Sequence, residues 1–169
     1  MNVILISYNY KPYLGGIETY TAKLKFFLEN NLSDFYFYTT KNFKFKIVRI
    51  LSLILLSLIK LSYSRPDIVH LTNLNLWPIT LINIFKIKKI RFIINLHGLE
   101  LVYGDGSSFK SMLYKKLTPT RYLEKNKNII YLLNSNETLQ LANKKFSGIT
   151  IMRLQDITKH NSLGNEQYK

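Results

Sequence analysis

Short runs of strand-forming residues alternate with longer stretches of helical periodicity along most of this chain, and that alternation is the sequence form of a parallel α/β sheet. Val3–Ser7, Phe35–Thr39, Asp67–Leu71, Arg91–Asn95, Ile129–Leu133 and Ile149–Met152 read as the strands. Most are near-continuous apolar runs, as expected of strands covered on both faces. Between the first two, Ile17, Tyr20, Leu24, Phe27 and Leu28 recur at near-helical intervals, which predicts a helix over 17–30 burying that face. Leu76–Lys88 reads as a later helix with Pro78 in its first turn, where a missing N–H costs little. Ser135 or Asn136 caps another, with Glu137 and Thr138 in its first turn. The expected fold is α/β, a Rossmann-like three-layer domain with a mostly parallel sheet over residues 1–152. Residues 153–169 form a polar, aperiodic tail, expected to be frayed.

The segment Ile47–Tyr63 stands apart, because Ile50–Ile59 carries no charge at all. It falls short of the roughly 20 apolar residues needed to span a bilayer. On a helical wheel Lys46, Arg49, Ser52, Ser57, Lys60 and Ser64 share one broad arc that also contains Leu53 and Leu56. Two readings stay open: a crossover helix packed on the sheet, or an interfacial helix presenting Lys44, Lys46, Arg49 and Lys60 to a membrane surface. One helix can do both.

After the first strand, Gly15-Gly16 stands directly before the first helix. Two adjacent residues without Cβ atoms permit positive φ and allow a ligand close approach to backbone N–H groups, while the helix dipole favours an anion there. A plain strand-to-helix turn would look the same. The known phosphate loops do not fit. No Gly-Lys pair exists for a P-loop, and the dinucleotide fingerprint lacks its third glycine. Gly104-Asp105-Gly106 reads as a flexible loop.

Composition narrows the chemistry. With 169 residues the chain makes one ordinary domain, and with no cysteine it has no disulfide, thiolate metal site or cysteine nucleophile. His70, His97 and His160 show no metal-ligand spacing, so no metal or resident cofactor is expected. Met1–Tyr10 lacks the basic region and the length of a signal peptide, which places the chain in the cytoplasm. The net charge of +14 points to an anionic partner, although a composition rich in Ile, Lys, Asn, Tyr and Phe also arises from AT-rich coding.

In order along the chain, Tyr10-x-Pro12-x-x-Gly15-Gly16-Ile17-Glu18, then Pro66-Asp67-Ile68-Val69-His70, then Leu96-His97-Gly98, then Ser135 after the fifth strand resemble the N-terminal domain of family 4 glycosyltransferases. The resemblance covers about residues 1–150. It implies one half of the two-domain GT-B architecture, in a retaining enzyme that moves a sugar from a nucleotide-sugar co-substrate to a glycan or lipid-linked acceptor. Gly15 and Gly16 would lie against the donor diphosphate and sugar. His97 matches the family histidine near the reacting sugar, where it can orient a hydroxyl; a strand-end histidine satisfied by backbone is the alternative. Tyr10 and Glu18 flank the loop as candidate acceptor or donor contacts, Glu18 reading first as a first-turn carboxylate favoured by the dipole. Asp67 and His70 read as fold residues, and a helix cap is sufficient to explain Ser135.

The resemblance also implies that the departing phosphate helps deprotonate the acceptor, so that neither a protein nucleophile nor a metal is required. It assigns the groups gripping the nucleotide to a second domain. No pair of glutamates stands eight positions apart, and Arg153-Leu154-Gln155-Asp156 replaces the Asn-Gly turn that leads there. A truncated product, a frameshifted end or one half of a two-chain enzyme each fits, truncation first, and the chain is expected to be inactive alone. Such an enzyme would sit at the inner face of the cell membrane, its basic clusters facing anionic lipid. The competing readings are a basic nucleic-acid-binding module, suggested by Phe43, Phe45 and Tyr114 among lysines, and a non-catalytic partner of a separate C-terminal-domain chain.

Overall fold

A computed structural model describes residues 1–10, 15–40, 45–85, 89–97, 120–133, 135–146 and 149–153. Strands form at Val3–Ile6 (β1), Phe35–Tyr38 (β2), Ile68–Leu71 (β3), Arg91–Leu96 (β4), Ile129–Leu133 (β5) and Thr150–Arg153 (β6). Helices form at Gly16–Asn31 (α1), Lys46–Tyr63 (α2), Thr120–Lys125 (α3) and Asn136–Lys145 (α4), with a 3-10 helix over Leu74–Ile84. The chain divides into two compact units between Ile94 and Asn95.

In the first unit the strand order is β2-β1-β3-β4, every pair parallel. Val3 lies opposite Phe35 on one side and Ile68 on the other, so β1 occupies the interior of the sheet. All four β1 residues are buried, as are Val69, His70 and Leu71 of β3. The connection from β1 to β2 travels one way across the sheet and that from β2 to β3 returns the other way. Right-handed crossovers then put α1 and α2 on opposite faces. The next connection continues in the same direction as the second, and the 3-10 helix accordingly packs against α2. Three layers result, in an α/β, Rossmann-like arrangement.

Asp67 ties the amino ends of these strands together. Its carboxylate accepts the Asn2 backbone N–H at 3.0 Å, its own N–H donates to the Asn2 carbonyl, and its carbonyl accepts from Arg91 N–H. Asp67 is thus a structural clasp just before β3, and His70 is buried within β3.

In the second unit β5 pairs in parallel with β6, from Ile130 opposite Thr150 to Leu133 opposite Arg153. Ser135 caps α4, its hydroxyl accepting the Thr138 N–H at 3.1 Å, which accounts for this residue as a cap. Tyr131 stacks on Phe146 with ring centroids 5.9 Å apart and donates its hydroxyl to the Leu123 carbonyl. The expected tail, apart from Arg153, and Gly104-Asp105-Gly106 lie outside the described residues.

Three local expectations change. On α1 Phe27 is exposed beside Phe26, and Thr21 is the buried residue, its hydroxyl donating to the Ile17 carbonyl at 2.8 Å. The face that packs is narrower than the apolar pattern implied. The helix carrying Pro78 begins at Leu74, earlier than expected, so that Pro78 lies inside it, and it has 3-10 geometry. The third concerns α2, whose inner stripe is Arg49, Leu53, Ser57 and Leu61.

Candidate functional site at the carboxyl ends of the first and third strands

Successive connections leave β1 and β3 in opposite directions, so the gap beyond their carboxyl ends is the topological switch point of the first unit. Ligands of open parallel sheets bind there because two crossovers diverge and leave a crevice. The chain places polar side chains at it. Ser7 and Asn9 follow β1, and Thr72 and Asn73 follow β3; all are buried. The Thr72 hydroxyl donates to Ser7 Oγ at 2.8 Å and lies 3.1 Å from Asn73 Oδ1. Ser7 Oγ in turn donates to the Asn9 carbonyl at 2.8 Å and accepts the Asn9 N–H at 3.1 Å. Nearby, Asn75 Nδ2 donates to the Tyr8 hydroxyl at 3.2 Å. These groups were not singled out from the sequence. The available signal was the pair of short polar breaks, Ser7-Tyr8-Asn9 and Thr72-Asn73, directly after apolar strands.

Gly15 and Gly16 open α1 on the connection leaving β1. Gly15 is the N-cap, with φ 179° and ψ 171°, extended backbone that any residue adopts, and no side chain among the described residues caps the helix. Neither glycine uses positive φ, contrary to one reason for expecting glycine here. Space is what distinguishes them. Among the described residues, a Cβ on Gly16 would meet nothing within 4 Å, whereas one on Gly15 would collide with the Glu18 carboxylate. Glu18 is the third helical residue, folded back over the cap as a first-turn carboxylate commonly is. The amino end of α1 thus presents bare backbone at Gly16 and one movable negative charge beside it.

Tyr10 sets its ring edge-on to Phe37, with centroids 4.8 Å apart at 63°, and so packs α1's connection against β2. Residues 11–14 of the glycine loop are outside the described residues, as is Gly98 of the Leu96-His97-Gly98 strand end. His97 follows β4 directly and is partly exposed. It belongs to the second unit, while Tyr10, Gly15, Gly16 and Glu18 belong to the first.

The residues expected on a membrane-facing arc separate. Arg49 is only 7% exposed and faces inward, its carbonyl accepting from Thr40 Oγ1 at 3.2 Å. It is not a surface cation. Lys46 is exposed with Nζ 5.6 Å from the Tyr8 ring centroid, and Lys60 is exposed with Nζ 4.4 Å from that of Tyr38. Burial, with Tyr36 beside it, pushes the Tyr38 phenol up from its ordinary pKa. Lys44 lies outside the described residues. Lys60, Tyr38, Ser57 and Leu53 border a pocket of about 140 Å³ between β2 and α2. Ligand pockets usually span about 300–1,000 Å³, so this one is too small for a nucleotide.

Of the aromatics that suggested nucleic-acid stacking, Phe45 alone is among the described residues, exposed at the N-cap of α2. No protein-family model matches the sequence, and no curated protein matches it.

Proposed function

We propose that the chain is the N-terminal half of a retaining glycosyltransferase, forming the acceptor-side wall of a cleft that accepts a nucleotide-sugar. The observation that carries this reading is the open ground over Gly16 at an uncapped helix N-terminus, on the connection leaving the switch point. A diphosphate matches that geometry, because it brings negative charge to unpaired N–H groups and the positive end of the dipole. Buried Ser7, Asn9, Thr72 and Asn73 fix the backbone at the same end of the sheet through hydrogen bonds among themselves.

In this reading the acceptor hydroxyl oxygen bonds to the anomeric carbon as the carbon–phosphate oxygen bond breaks, on the same face. The acceptor proton passes to the departing phosphate. The protein's work is to place the partners and to stabilise charge building on that phosphate. His97 would hydrogen-bond a hydroxyl of the donor sugar and fix its orientation. A second domain, in the same or another chain, would supply the remaining grip on the nucleotide, and the site of action would be the cytoplasmic face of the cell membrane, where lipid-linked acceptors reside.

The test is direct binding of a panel of nucleoside diphosphates and their sugars, followed by saturation-transfer NMR. One nucleotide is expected to bind, and Gly16→Val, which fills open space, should weaken it at least about tenfold without lowering the melting temperature. Absence of nucleotide binding at millimolar ligand, or a Gly16→Val protein that binds as the parent does, would remove the reading. If binding holds, His97→Ala should leave it intact and depress sugar transfer in the presence of a second domain.

A further inference from the structure

The outward face of α2 is apolar from end to end. Arg49, Leu53, Ser57 and Leu61 form the inner stripe at intervals of four, and the opposite side of the cylinder carries Ile47, Val48, Leu51, Leu55 and Ile59. Ile47 is 72% exposed, Leu51 61%, Leu55 60% and Ile59 50%. Soluble helices place charge on such a face. Here the charge lies elsewhere.

No helix among the described residues is long and apolar enough to cross a membrane. At 18 residues α2 is about 27 Å long, and its inner face is committed to the 3-10 helix and the sheet. An apolar occupant must therefore meet it from one side. The charges around the face identify which. Lys46 opens the helix and Lys60 closes it, both exposed, and no aspartate or glutamate occurs between Asp34 and Asp67. A second copy would bring together two chains of net charge +14, with no carboxylate on either helix to pair a cation of the other. An anionic bilayer offers acyl chains to the apolar face, and its charged headgroups attract the protein's net charge of +14.

We propose that α2 docks the protein on an anionic lipid bilayer, lying in the plane of the interface with Leu51 and Leu55 at the centre of the inserted face. This differs from attachment by a cationic arc. Arg49 is buried, Lys46 and Lys60 set their ammonium groups over the Tyr8 and Tyr38 rings, and the apolar contact does the inserting. Docking needs no nucleotide, so it stands or falls separately from sugar transfer.

Flotation of the full chain with phosphatidylcholine vesicles, with and without phosphatidylglycerol, tests it. The protein should float with the anionic vesicles, and Leu51→Gln/Leu55→Gln should lose at least about tenfold in apparent affinity while keeping its melting temperature. As an independent readout, Leu55→Trp in a Trp77→Phe background supplies a sole indole on the inserted face. Its emission should shift to the blue and be quenched by lipids brominated on the acyl chain. Parent protein that does not bind, a folded glutamine pair that binds unchanged, or a Leu55→Trp protein whose indole is not quenched would each overturn the proposal. So would a concentration-dependent dimer that the glutamine pair abolishes, since a second copy would then own the face.

Discussion

The Thr72 hydroxyl donates to the Ser7 hydroxyl at 2.8 Å across 65 residues of sequence, locking the carboxyl ends of β3 and β1 to each other. Both side chains are fully buried, so neither group has water to fall back on. Thr72→Val keeps the shape and removes the donor. It should cost about 1–2 kcal/mol in urea denaturation, and a double-mutant cycle with Ser7→Ala should return a coupling near ~1 kcal/mol. Additive effects would show that the two hydroxyls do not act as a pair.

Asn83 is a second buried clasp. Its amide donates to the Ile90 carbonyl at 2.8 Å and accepts the Ile90 N–H at 2.9 Å, fixing the chain just before β4. Asn83→Leu leaves both backbone groups unsatisfied, and a loss of about 2–4 kcal/mol is expected from equilibrium unfolding. Asn83→Asp should be similarly costly at neutral pH, because a carboxylate cannot donate to that carbonyl. Its penalty should shrink in acid, where the protonated form can.

At the candidate anion site, Glu18 is the neighbouring negative charge. If a diphosphate binds over Gly16, Glu18→Gln should tighten it severalfold, most clearly at low salt, by calorimetry. Weaker binding would instead make the carboxylate a ligand contact, accepting a hydroxyl of the bound sugar.

Tyr131 connects pH to stability. Burial, followed by Tyr122 and Glu124, raises its phenol well above the usual value near 10. In the unfolded chain the phenol ionises near that usual value, so above it the unfolded state binds fewer protons than the folded one. Stability should therefore fall as pH rises past about 10, and be unaffected by this group below it. Phenolate absorbance during alkaline titration should show one tyrosine ionising only with unfolding, and Tyr131→Phe should remove that lagging component.

The strands were legible because burial on both faces leaves a short, nearly unbroken apolar run, and Val3–Ile6 and Ile129–Leu133 sit where those runs are. The cap at Ser135 was legible for a comparable reason, since one hydroxyl before a first-turn glutamate has few other uses. The orientation of α2 was not. A helix apolar nearly all round has no sequence signal for which side packs, and a wheel that grouped Arg49 with Lys60 treated every polar side chain as outward. Packing against the 3-10 helix decided otherwise. At the candidate site the glycines were visible, but what makes them useful was not: both avoid positive φ, and the open space over Gly16 is set by where α1 starts.

The interior position of β1 has a consequence for synthesis. Val3–Ile6 leaves the ribosome well before its partners Phe35–Tyr38 and Ile68–Leu71. Until Leu71 is clear of the exit tunnel, one edge of β1 has no strand beside it and α2 has already been made. For that interval the nascent chain carries an apolar helix with nothing to lie on, which makes this the stage most prone to association off the folding pathway.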